Sequence, residues 1–299
     1  MLLDGKALSN KMKQELKDQI STLVEKYASV PTLSIVVVGS NPASEIYVRN
    51  KVKSATNIGM KASVTKLDEN VTMDELIKVV DDLNNDKEVN GIMVQLPLPK
   101  KFNEENITNR VSSNKDVDGL TSQSLGNLMV GSSCFVPCTP KGIVMLLKAY
   151  GVDIAGKNVC IINRSNIVGK PLEQLFLMEN ATTTVCHSKT LGLADIVSRA
   201  DIVVAALNKK EFITADFIKD GAIVIDVGVH RNDDGKTVGD VKFDEVYDKC
   251  SLITPPTGGV GPMTICMLCY NSVYSVYGDE VLEVLERGIE KVKVKVLEK

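Results

Sequence analysis

The chain has 299 residues, of which 44% are hydrophobic and 24% charged, with a net charge of −3. That length suits two domains with cores of ordinary size, and the composition excludes a disordered chain. So small a negative charge offers no electrostatic footprint for nucleic acid or for an anionic membrane.

The opening segment MLLDGKALSN carries Asp4 and no long apolar run, so it does not read as a signal peptide. No stretch approaches the roughly 18 apolar residues that span a bilayer. A cytoplasmic protein is the expectation.

In chain order, a long first helix is predicted over residues 5–27, then an apolar strand, LSIVVVG, from Leu33 to Gly39. A helix follows from Pro42 to about Gly59, then a strand at 63–67, a helix at 72–85 and the strand GIMVQLP at 91–97. This βαβαβ alternation favours a parallel sheet with helices on its faces. Residues 110–140 are rich in Ser, Asn, Gly and Pro and read as a hinge with loops, where the domain changes. The alternation restarts with a helix at 141–150 and strands at 158–163, 182–187, 201–207 and 222–228, separated by helical spacers. A short strand, SLIT, precedes PPTGGVGP, and the last 37 or so residues read as helical.

The seven cysteines are scattered, and Cys266 and Cys269 alone show CxxC spacing, in the helical segment MTICMLCY. Core thiols or a redox or zinc pair both suit that spacing. With only His187 and His230 in the chain, no metal centre is expected.

Two places carry chemistry. In CIINRSNIVGKPL a strand ends at Asn163 and a helix starts near Gly169. A Rossmann-type fold seats a pyrophosphate at such a turn, on free backbone N–H groups and the positive helix end. Asn163 and Ser165 stand where the first two glycines of GxGxxG belong, and only Gly169 remains. The next strand ends CHSKT, without the acid that would bind a ribose 2′-OH. Arg164, Ser188 and Lys189 suit a 2′-phosphate instead, so NADP is expected in preference to NAD.

The second place is SNPASEIYVRNK. Asn41 caps a helix with Pro42 at its first position, and Tyr47 and Lys51 share one face. Such a pair is either a surface pair or an acid/base and stacking pair, the latter needing a buried or positioned lysine. Gln95 ends a buried-looking strand, where its amide must find partners. Asp118 lies in the turn KDVDG, and TGGVGPMT is a glycine-rich loop before a helix.

With these residues laid out, the chain resembles the bifunctional methylenetetrahydrofolate dehydrogenase/cyclohydrolase family, often called FolD. The matching segments are NPASEIYVRNKVKSATNIGM, GIMVQLPLP, KDVDGL, PCTPKGIV, RSNIVGKP, TTTVCHS, GAIVIDVG, GDV and GGVGPMT, in family order over nearly the whole chain. The resemblance implies an α/β fold of two domains with a cleft between them: a folate-binding catalytic domain at 1–135, with helices at 271–299 packing back on it, and a Rossmann-type NADP-binding domain at 136–270. It implies oxidation of 5,10-methylenetetrahydrofolate by NADP and hydrolysis of the methenyl product to 10-formyltetrahydrofolate, in the one-carbon metabolism that serves purine biosynthesis.

Carried over residue by residue, the resemblance makes Lys51 the central catalytic group, tuned by Gln95. Tyr47 packs on the folate, Asp118 holds the pterin ring, and Gly259 and Pro262 flank the substrate. Asn163, Arg164, Ser165 and Gly169 form the cofactor turn, Ser188 lies near the 2′-phosphate, and Val229 contacts the nicotinamide side. A homodimer paired through the nucleotide domain is implied as well. The departures are Asn163 for a glycine, Thr257 for a proline, and LNKKEF where a glycine-containing turn is usual. The rival readings are a monofunctional dehydrogenase using NAD or NADP, and a catalytically silent nucleotide- or folate-binding protein.

Overall fold

The computed structural model describes residues 1–281 and divides into two compact units. Of the described residues, one gathers Met12–Cys138 and 265–281; the other gathers Met1–Lys11 and Thr139–Thr264. Both are α/β with all-parallel principal sheets, the expected fold class.

Helix α1 (Gly5–Tyr27) is followed by β1 (Thr32–Val38), α2 (Pro42–Asn57), β2 (Lys61–Leu67), α3 (Met73–Asn85) and β3 (Gly91–Val94). The sheet order is β2-β1-β3, with Leu33 opposite both Ala62 and Gly91. The central position explains why β1 is a continuous run of β-branched and apolar residues. Its Val36 and Val38 pack with Leu76 and Val80 of α3 and with Ile92 and Val94 of β3. Two helix starts follow from local chemistry. Asn41 Oδ1 accepts the Ser44 N–H at 3.2 Å ahead of Pro42. Thr72 and Glu75 form a reciprocal capping box on α3.

Two expectations are corrected in this unit, and one further helix joins them. The strand drawn at 91–97 stops at Val94, so Gln95 sits just beyond a strand end, not within a strand. The loop-rich stretch 110–140 holds a helix, α5 (Ser122–Met129), capped by Thr121 accepting the Ser124 N–H at 3.1 Å; Gly126 and the serines mask it in the sequence. A short helix, α4 (Glu104–Thr108), also lies in what reads as irregular chain.

The second unit runs α6 (Cys138–Ala149), β4 (Asn158–Ile162), α7 (Gly169–Met178), β5 (Thr182–Cys186), α8 (Leu193–Val197), β6 (Ile202–Ala205), β7 (Ile223–Asp226), a hairpin of β8 (His230–Arg231) and β9 (Thr237–Val238), α9 (Phe243–Val246) and β10 (Leu252–Ile253). The order β10-β7-β6-β4-β5 puts β4 between β5 and β6. The chain therefore leaves β4 in one direction and returns across it, the switch point that opens a ligand crevice at the strands' carboxyl ends. PCTP begins α6 and is not loop. Likewise α10 starts at Val260, so only the first glycines of TGGVGPMT are loop and Pro262 sits in the first turn, where its missing N–H costs nothing. Helix α10 ends at Tyr277 and a 3-10 turn reaches Val281; the rest of the helical tail expected to 299 lies outside the described residues.

None of the seven cysteines is in a disulfide, and all but the half-buried Cys134 are buried. Burial pushes the Cys269 thiol up to about 12, and Cys266 is raised as well, so this CxxC is a pair of core thiols. Among the described residues no cluster of His, Cys, Asp or Glu could hold a metal, and no helix is long and apolar enough to cross a membrane.

Candidate active site

In the first unit, α2 and the end of β3 bring Lys51 to Gln95. Lys51 is 8% exposed although it is a lysine, and its Nζ donates to Gln95 Oε1 at 3.0 Å and meets Met93 Sδ at 3.4 Å. Gln95 Nε2 in turn donates to the Leu96 carbonyl at 2.6 Å, which fixes which end of the amide faces the amine. Burial pulls the Lys51 pKa down, opposed by the negative charge of Asp118 and by Cys138. Burial likewise raises the Asp118 carboxyl, opposed by Lys51 and by a hydrogen bond with Cys138. Lysine, glutamine and aspartate thus form one electrostatic group. Tyr47 is one turn before Lys51 on α2 and keeps 39% of its surface exposed, so its ring is available to a ligand.

Asp118 is held in place by residues that the sequence reading passed over. Buried Asp116 accepts the N–H groups of Gly119 at 3.0 Å, Leu120 at 3.1 Å and Thr121 at 2.8 Å, and the Ser124 hydroxyl at 2.7 Å. Buried Asn271 donates to the Val117 and Val136 carbonyls at 2.9 and 3.0 Å. The Ile92 N–H donates to the Lys115 carbonyl at 2.8 Å, laying the KDVDG segment along β3. An Asp in a turn that satisfies amides a few residues on is ordinary turn chemistry, so Asp116 had a local signal. Asn271 had none, since its partners are 154 and 135 residues away.

In the second unit a cleft of about 530 Å³ opens at the carboxyl ends of β4, β5 and β6, within the usual size for a cofactor site. Asn163, Arg164, Ser165, His187, Ser188, Thr190, Leu207, Lys209 and Phe212 are among its walls. Arg164 and Ser188 meet there as expected. Lys189 is exposed and outside the lining, and the second cation is Lys209, from the LNKKEF departure. Lys209 Nζ lies 4.7 Å from the centre of the Phe212 ring. Val229, 56% exposed, is not part of this wall. Gly259, in the same unit, packs on Thr254 and Pro255 at the foot of α10, three residues before Pro262.

The turn after β4 departs from expectation. Several of its N–H groups are already engaged: Asn163 Oδ1 accepts from Ser165 N–H at 2.8 Å, Ser165 Oγ at 2.7 Å and Gly169 N–H at 3.0 Å. Ser165 Oγ also accepts the Val168 N–H at 3.1 Å, and Asn163 Nδ2 donates to the Ala206 carbonyl at 2.6 Å. The Asn163 amide thus takes donors that a bare glycine turn would aim at an anion, and ties the turn to the end of β6. The side chains of Arg164, Ser188 and Lys209 give this wall two cationic groups and a hydroxyl, chemistry that can bind an anion.

Gly169 allows this packing. A Cβ there would lie 2.2 Å from the Asn163 carbonyl oxygen and 2.8 Å from the Arg164 nitrogen, both backbone atoms that have little room to give. Gly169→Ala is expected to lower stability by about 1–3 kcal/mol, as overpacking does. A melting temperature unchanged from that of the parent protein would show that the turn relaxes freely.

A family model described as the tetrahydrofolate dehydrogenase/cyclohydrolase catalytic domain matches residues 3–118. Another, the NAD(P)-binding domain of the same family, matches residues 137–279. The chain is 49% identical over 272 residues to the bifunctional protein FolD of Agathobacter rectalis, covering 91% of this chain and 97% of that one. Among solved structures it resembles the bifunctional FolD enzyme of Campylobacter jejuni at 46% identity and a TM-score of 0.90, covering 93% of this chain and 98% of that one. It also resembles the Trypanosoma brucei methylenetetrahydrofolate dehydrogenase-cyclohydrolase, solved with NADP and an inhibitor, at 35% identity and a TM-score of 0.88, covering 94% and 98%.

Proposed function

The chain belongs to the tetrahydrofolate dehydrogenase/cyclohydrolase family, and we propose that it oxidises 5,10-methylenetetrahydrofolate with NADP and hydrolyses the resulting methenyl cation to 10-formyltetrahydrofolate. The observation that carries this reading is the buried Lys51 amine, 3.0 Å from the Gln95 amide and coupled to Asp118. NADP, when bound, supplies the hydride acceptor.

The protein's own groups do the rest. Burial lowers the Lys51 pKa and favours the neutral amine, which takes a proton from the attacking water as that water adds to the cation. Gln95 holds the amine by its oxygen and adds no charge. Asp118 accepts N–H bonds from the pterin, and the Tyr47 ring stacks on it; Gly259 and Pro262 flank the substrate. Arg164 and Ser188 grip the 2′-phosphate, Asn163, Ser165 and Gly169 shape the turn beneath the cofactor, and Val229 lies to the nicotinamide side. Orientation provides much of the acceleration, because loss of hydride is assisted by the folate nitrogen lone pair.

On this reading residues 1–135 with the C-terminal helices form the folate domain and 136–270 the NADP domain. The protein works in the cytoplasm as a homodimer, supplying one-carbon units for purine biosynthesis. Strand β5 supports pairing through the nucleotide domain, because among the described residues it is a sheet edge with one side unpaired. The mass in solution tests the dimer.

The first test uses purified protein with 5,10-methylenetetrahydrofolate, following NADP and NAD reduction in parallel and, separately, clearance of added methenyltetrahydrofolate. Reduction of NADP with catalysed clearance supports the reading. Reduction without catalysed clearance leaves a monofunctional dehydrogenase, and folded protein that reduces neither cofactor is a binding protein only. A narrower test concerns Gln95. Gln95→Glu sets a carboxylate beside Nζ, which stabilises the ammonium form, so hydrolysis should fall roughly tenfold or more at neutral pH and recover partly at higher pH. A rate equal to that of the parent protein at all pH values would remove Gln95 from the tuning role.

A further inference from the structure

Leu207 and Lys209, two walls of the dinucleotide cleft, lie in a backbone segment under conformational load. Asn208 and Glu211 take left-handed φ angles of 57° and 51°, and LNKKE contains no glycine. Residues with a Cβ hold such angles only where their surroundings impose them.

Asp240 holds the first of them, at Asn208, while the Glu211 N–H donates to the neighbouring Gly239 carbonyl at 2.9 Å. Asp240 is fully buried, yet its carboxylate is saturated with hydrogen bonds. Oδ2 accepts the N–H groups of Leu207 at 2.6 Å and Asn208 at 3.1 Å, and Oδ1 accepts that of Lys209 at 2.7 Å. His230 Nε2 meets Oδ1 at 2.8 Å. Three consecutive amides that converge on one carboxylate fix the curvature of the segment. Asp240 is anchored in turn: its own N–H, with those of Gly228 and Val241, donates to Asp226 at the end of β7. The three loops after β6, β7 and β9 are thereby fastened to one another.

We propose that Asp240 is a positioning residue for dinucleotide binding, supported by His230, which holds residues 207–209 in the shape the cofactor meets while remaining behind that wall. The proposal rests on the reading of this cleft as the NADP site. A purely structural role would lower stability and both activities together. A positioning role acts on the dinucleotide reaction alone, because hydrolysis of added methenyltetrahydrofolate needs no dinucleotide.

The test measures both reactions in Asp240→Asn and His230→Ala, with melting temperatures alongside. In Asp240→Asn an NH2 group faces donors that need an acceptor, so the KM for NADP should rise roughly tenfold or more. His230→Ala removes one of four bonds, and its KM for NADP should rise by about threefold. Hydrolysis should stay within about twofold of the parent rate in both, since no dinucleotide takes part in it. A folded Asp240→Asn whose KM for NADP is unchanged, or whose two activities fall in equal proportion, overturns the proposal. Should Asp240→Asn fail to fold, His230→Ala decides, and an unchanged KM there overturns it. A parent protein that turns over neither NADP nor NAD refutes the underlying functional reading instead, and that outcome is visible before any variant is made.

Discussion

Lys51→Met should abolish catalysed hydrolysis of the methenyl cation, with a loss of at least about a hundredfold, the lower range for a positioned acid/base group. Methionine fills nearly the same space without an amine, so the cavity between α2 and β3 stays packed and Met93 keeps an apolar neighbour. Dinucleotide binding should persist, because the cleft at the ends of β4, β5 and β6 contains no residue of α2. The parent protein supplies a companion signature. Burial lowers the Lys51 pKa, so its neutral form is populated at a lower pH than for an ordinary lysine. Hydrolysis should rise with pH through that lowered value and then level, and the variant should lose the rise. Full hydrolytic activity in folded Lys51→Met would eliminate the role assigned to this amine.

Arg164→Ala is the complementary experiment. The guanidinium lines the cleft with Ser188, and the internal hydrogen bonds of Asn163 leave the turn after β4 with fewer backbone donors to give an anion. A charge-assisted bond to a phosphate contributes about 1.5–3 kcal/mol, so the KM for NADP should rise roughly tenfold to a hundredfold. NAD lacks the 2′-phosphate, and its KM should change by less than about threefold if this bond is the principal one lost. Steady-state kinetics with both cofactors read the ratio. Equal losses would mean that Arg164 serves the shared part of the dinucleotide, and that Lys209 or Ser188 reads the extra phosphate.

Most of the architecture was legible because local chemistry and the final fold agree. The run Leu33–Val38, apolar but for Ser34 and β-branched from Ile35, reads as a buried strand and lies at the sheet centre, and the Thr72–Glu75 spacing reads as a helix start and forms a capping box. Helix α5 was not legible, because Ser122, Ser124, Gly126 and Asn127 carry little helical preference and the Thr121 cap decides its start. The site was legible by type and not by arrangement. Tyr47 and Lys51 share a helix face by spacing, but the bond from Lys51 to Gln95 spans 44 positions, which no local pattern encodes. The same limit hid Lys209 and Asp240, brought together across 31 residues, and Asn271. Asn163 drew notice as a missing glycine, yet its effect depends on where one amide points, and that is a tertiary fact.

The burial of the cysteines bears on how this protein can be handled at the bench. Seven thiols in a chain of this length ordinarily oblige an experimenter to replace most of them before attaching a dye or spin label. Here six are buried, with burial raising the thiols of Cys250, Cys266 and Cys269, while Cys134 keeps partial access to solvent. The native chain is therefore expected to take up about one maleimide per chain while folded, which a mass spectrum of the labelled protein checks. A reporter attached at Cys134 sits four residues before α6, in the stretch leading out of the first unit, with no mutation needed to place it.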